Sequence, residues 1–152
     1  MTGITAMFLD LVRAETRLYT GIDARLRAEH GVSLGQFEIL SIIERIDGCR
    51  VVDVVDDLAI TIGAVSKAVD RLEAGGWCRR RANPDDGRSS LLELTPQGSA
   101  ALAAARPTLE AELAARLSGA VTPAELAHVA AGLAALRVRL EAEGYGSRRP
   151  VT

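Results

Sequence analysis

A cluster of basic side chains occupies the middle of the chain. Lys67, the only lysine in the sequence, stands beside Ser66 and one helical turn before Arg71; Arg79, Arg80 and Arg81 follow in a row, and Arg88 comes after a run of turn formers. Ammonium and guanidinium groups pair with phosphate oxygens and, when carried on a helix, with the guanine acceptors of a base edge. Thr61 is placed to cap such a helix, and Ile62, Gly63 and Ala64 fill its first turn. Gly63 and Ala64 are too short to hydrogen-bond bases; they permit close backbone approach, and Ala64 suits a thymine methyl. In an extended segment Arg79 and Arg81 share one face and Arg80 takes the other. Arg88, at a loop tip, suits a narrow minor groove, with Asp86 expected to hold its guanidinium.

These residues need a scaffold, and the flanking pattern supplies one. Ile4, Met7, Phe8, Leu11, Leu18, Ile22 and Leu26 recur at three- and four-residue steps, predicting a helix from about Ile4 to Glu29. Ser33 with Gln36 forms a capping box for a second helix. Val51, Val54, Val55 and Leu58 are β-branched or apolar but fall on one helical face, so a short third helix is expected. The Thr61 helix turns Val65, Ala68, Val69 and Leu72 inward and stops at Gly75-Gly76. Trp77–Ala82 and Ser90–Leu94 are predicted strands around the turn Asn83-Pro84-Asp85-Asp86-Gly87. Thr95-Pro96 and Thr122-Pro123 start two more helices. The fold class is therefore mainly α, a winged helix-turn-helix of about six helices plus a small β-wing. It forms a single domain over 1–152, with the winged unit at 33–95, long helices at 1–30 and 96–143, and a flexible tail at 144–152.

The charge balance gives no global hint: the net charge is −2, and 48% of residues are hydrophobic against 25% charged. Disorder is excluded by that composition. No apolar run approaches the ~20 residues of a membrane span, and no basic start precedes an apolar block, so a cytoplasmic protein without a membrane partner is expected. Glycine-rich phosphate loops, a G-x-S-x-G elbow and a Cys/His pair in a nucleophile context are absent from the sequence, so no enzyme is read here. His30 and His128 lack ligands at metal spacing, and neither metal nor cofactor is expected.

Between Ser99 and Glu143, 16 residues are alanine. A helix so built buries little area alone and is better explained by packing in a dimer. Ile4 and Phe8 at the start, with Leu126, Leu133, Leu136 and Leu140 near the end, are the expected interface.

The register Val69-Asp70-Arg71-Leu72-Glu73-x-x-Gly76, then Asp86-x-Arg88, then Leu92-x-Leu94-Thr95-x-x-Gly98 resembles the MarR family of winged-helix regulators. The resemblance covers nearly the whole chain. It implies a homodimer joined by its N- and C-terminal helices, with two reading helices in successive major grooves of a pseudo-palindromic duplex and two wings at minor grooves. It also implies a repressor relieved by a small aromatic or phenolic ligand, or by thiol oxidation. Tyr19 and Phe37 are candidate pocket walls, with Arg17 or Arg13 as anion partner. The Gly63-Ala64 pair departs from the hydroxyl or longer polar residues common in the family.

Oxidation-sensing relatives carry a reactive cysteine near the start of the first long helix, where this chain has none. Cys49 precedes the expected first strand of the winged unit and Cys78 lies in the second, with the third strand between them. Their separation of roughly 9–10 Å exceeds disulfide reach. The rival from another class is a winged-helix protein-interaction module that does not bind DNA.

Overall fold

The computed structural model describes residues 3–146. Six helices and one hairpin follow one another: α1 (Ile4–His30), α2 (Leu34–Arg45), α3 (Val51–Leu58), α4 (Ile62–Ala74), β1 (Cys78–Ala82), β2 (Ser90–Leu94), α5 (Pro96–Leu117) and α6 (Pro123–Glu143). The mainly helical class with a small antiparallel wing is as the sequence predicts.

Local chemistry sets the helix ends. Ser33 accepts from the Gln36 N–H while the Gln36 side chain accepts from the Ser33 N–H, a reciprocal cap that starts α2. Thr122 and Glu125 repeat the arrangement at α6. The valine-rich segment settles as α3 because Val54 and Val55 bury there, and because the Asp53 carboxylate accepts from the Arg50 N–H at 2.8 Å. Ala59 then turns the chain in the left-handed region, φ 52°, which a residue with a Cβ rarely adopts.

Leu26 of α1, Leu40 of α2, Leu72 of α4 and Leu102 of α5 are fully buried and meet in one core with Val32, Val54, Val65 and Val69. β1 and β2 pair antiparallel with Arg80 opposite Leu92 and Cys78 opposite Leu94. The expected first strand, after Cys49, is reduced to one bond, the Leu92 N–H donating to the Cys49 carbonyl at 2.7 Å. β2 thus lies between the Cys49 segment and β1.

A tight joint links the end of α4 to the start of α5. The Thr95 hydroxyl donates to the Gly76 carbonyl at 2.6 Å and accepts from the Gly98 N–H at 3.0 Å. The Thr95 N–H in turn donates to the Trp77 carbonyl at 3.1 Å. α6 is different in kind: none of its residues is buried. The expected flexible tail lies from Ser147 onward outside the described residues.

Candidate nucleic-acid interface

α4 is oriented by its buried side. Val65, Val69 and Leu72 enter the core, and Thr61 caps the start by accepting from the Ala64 N–H at 3.2 Å. The opposite side, carrying Ile62, Gly63, Ala64, Lys67, Asp70 and Arg71, is exposed together with Thr61, while Ser66 is half-buried. A helix held from behind in this way presents its first two turns outward.

The wing is organised by carboxylates. Glu93, opposite Arg79 in the ladder, accepts from Arg79 at 2.9 Å and from Arg81 at 2.6 Å, so the two arginines do share the outer face. Those two hydrogen bonds, Arg81 first, hold the Glu93 carboxyl below its usual range. Arg80 points the other way, toward α4, with Nη1 at 2.6 Å from Glu73 and Nη2 at 2.7 Å from Asp70. Its N–H also donates to Glu73 at 2.9 Å, and this backbone bond leads the causes that lower the Glu73 pKa. Arg80 therefore sets the wing against α4. The sequence signal for it was present in alternation alone: the middle arginine of three must face inward. At the tip, Asp86 accepts from the Arg88 N–H at 3.0 Å. It shapes the loop backbone and does not hold the guanidinium, in contrast to the expectation, because a carboxylate two residues back reaches an N–H more readily.

These pairings sort the cations. Arg79, Arg80 and Arg81 have carboxylate partners, as do Arg45 with Asp57 and Arg50 with Asp53. Among the described residues, Lys67, Arg71 and Arg88 have none. All three are exposed, on α4 or at the wing tip. Asp53 and Asp57, acids that would repel phosphate if free, are neutralised by those same arginines.

The remaining candidates lie elsewhere. Ile4 and Phe8 on α1 and Leu126, Leu133 and Leu136 on α6 are exposed, Phe8 by 56%, and Leu140 is half-buried. Tyr19 is exposed with its hydroxyl over Gly35, Phe37 is buried in the core, and Arg17 donates to the Arg13 carbonyl. A groove of about 940 Å³ is lined by other residues, with Leu133, Leu136 and Leu140 of α6 on one side and Arg45, Val55 and Asp57 on the other.

Both thiols are buried. Burial pushes each from 9.0 to about 11, with Asp53 adding to the shift at Cys49 and Glu73 at Cys78. The thiolate fraction near neutral pH is thereby lowered about a hundredfold relative to an ordinary thiol. Native protein is expected to take up less than one equivalent of iodoacetamide in an hour at pH 8, whereas denatured protein takes up two, counted by mass spectrometry. Rapid double labelling of the native protein would show that the core opens far more often than its packing implies.

Residues 32–90 match the MarR family. The matched stretch takes in α2, α3, α4, β1 and the turn of the wing. The multiple antibiotic resistance protein MarR of Salmonella typhimurium is 39% identical over 70 residues, 45% of this chain and 48% of that protein. The chain thus spans about half the length of the relatives it matches in sequence. In structure, the likeness is wider. The transcriptional repressor CouR, solved on a 23-mer DNA duplex, superposes with a TM-score of 0.76 at 26% identity, covering 84% of this chain and 89% of that one. The transcriptional regulator BldR from Sulfolobus solfataricus gives 0.76 at 27% identity, covering 91% and 99%. The MarR register also has a physical basis in this chain. Glu73 is the Arg80 acceptor, Gly76 adopts φ 75°, and Gly98 passes beneath the Trp77 carbonyl where a Cβ has no room.

Proposed function

We propose that this protein is a cytoplasmic homodimeric transcription factor, a repressor that reads a pseudo-palindromic duplex with α4 and the wing. The observation that carries this reading is the placement of Lys67, Arg71 and Arg88: they lack carboxylate partners among the described residues, while the neighbouring arginines are paired. Phosphate is the counter-charge such a set selects. The DNA-bound state of CouR supports the same reading. The apolar stripes of α1 and α6, exposed among the described residues, support a second copy packed against them. Half-sites are expected about one helical turn, ~10 bp, apart.

A small effector would bear on this reading through the groove beside α3. Its walls are the interface helix α6 and the element that packs on α4. Relief by thiol oxidation has no comparable support, since Cys49 and Cys78 are buried.

The test is fluorescence anisotropy on duplex DNA at several salt concentrations. Lys67→Ala is expected to weaken binding by ~1–3 kcal/mol and to relax discrimination at one base pair. Arg88→Ala is expected to weaken all duplexes alike and to shallow the salt slope by about 0.9 per subunit. Wild-type affinity in both variants would remove these residues from the interface. A dimer without salt-dependent affinity for any duplex would favour a protein-interaction module instead.

A further inference from the structure

We infer that the first turn of α4 recognises thymine through its methyl group, by apolar contact from Ile62 and Ala64 across the side-chain-free Gly63. This inference rests on the DNA-reading proposal and specifies what that site selects. The base edges in a major groove are met by the first turns of the inserted helix. In this chain those turns offer little that can hydrogen-bond a base. The Thr61 hydroxyl accepts from the Ala64 N–H at 3.2 Å and keeps a single O–H to donate, and Ser66 is half-buried. Lys67, the first exposed cation, lies a full turn further along.

What remains at the leading edge is apolar and outward. Ile62 is 42% exposed although it is a large hydrophobe, Ala64 is exposed, and the space above Gly63 is open. Val65, in the same turn, is fully buried, so the exposure of Ile62 does not come from a loosely packed helix. The thymine C5-methyl is the apolar group of the major groove, and no other base presents one there. Lys67 and Arg71 further along α4 and Arg88 at the wing tip, which lack carboxylate partners among the described residues, would seat this apolar edge against a polyanion. That charge pattern favours a duplex as its occupant over an apolar protein surface.

The experiment uses the intact protein. The tightest-binding duplex is selected from a random library and then made with deoxyuridine in place of thymidine within the half-sites, which removes methyl groups and leaves base pairing and phosphates in place. The selected half-sites are expected to contain thymine. Affinity should fall about fourfold per contacted methyl, near fifteenfold for one methyl in each of two half-sites, from the free energy of one buried methyl-sized group. Ile62→Ala, at an exposed position that leaves the core untouched, should melt like the wild type and show less than half of that loss. Equal affinity for the two duplexes overturns the inference while leaving DNA reading intact. So does a full loss retained by Ile62→Ala, since the methyl groups would then act through duplex shape. If no duplex is enriched, the DNA-reading proposal falls, and this inference with it.

Discussion

Replacing Leu133 and Leu136 together by glutamate is expected to yield a folded monomer whose affinity for its operator is at least a hundredfold weaker. Both side chains stand on α6, 42% and 45% exposed, and no residue of that helix is buried within the chain. The substitution therefore removes no fully buried side chain, and glutamate is a good helix former, so helicity by circular dichroism should not change. In the proposed dimer the outcome differs. Each leucine buried at the interface contributes about 1.5–3 kcal/mol, and four are lost across a two-fold axis. Four carboxylates must then be desolvated or the subunits must part. With the dimer goes the simultaneous occupation of two half-sites, on which most of the operator affinity depends. Light scattering coupled to size exclusion reads the mass directly. A dimeric mass for the double variant would place the interface on another face.

Gly98→Ala is expected to destabilise the fold by about 3 kcal/mol or more, the upper end of what overpacking produces. A Cβ at residue 98 would sit 1.9 Å from the Trp77 carbonyl oxygen and 2.8 Å from its carbon. The obstacle is backbone, not the far end of a flexible side chain, so α5 must move as a whole. That motion breaks the bonds Thr95 makes to Gly76, Trp77 and Gly98. For a chain of this size the melting temperature should drop by about 10 °C. Gly63→Ala is the control: nothing lies within 4 Å of its Cβ position, and the same chemical change there should stabilise the helix by up to ~1 kcal/mol. Equal melting of the Gly98 variant and the wild type would mean that the joint yields at little cost.

How much of this was legible in the sequence depends on the range of the interaction. The starts of α2, α4, α5 and α6 are written locally: Ser33 with Gln36, Thr61, Thr95 before Pro96, and Thr122 with Glu125 each satisfy N–H groups within three residues. The helical state of Val51–Leu58 also followed from the spacing of its apolar residues, against the strand preference of valine. The wing was harder. That Arg79 and Arg81 share a face follows from alternation, but their common partner Glu93 depends on ladder register, which the turn at 83–89 sets. Arg80 reaches Asp70 and Glu73 only because β1 folds back along α4, a tertiary fact that no local pattern contains. Asp86 shows the converse, a short-range bond that won over the longer-range ion pair expected of it.

The Thr95 joint has a mechanical consequence. One hydroxyl ties the exit of α4 to the first turn of α5, and α5 runs on for 22 residues against α1 and α2. A junction clamped at three points has no slack in which to absorb rotation. α5 is thereby tied at its short end to the segment that leaves α4. In the proposed dimer, a tilt imposed near Leu117 would be carried through this joint toward Lys67, and the pitch between the two α4 helices would follow the angle between the two α5 helices.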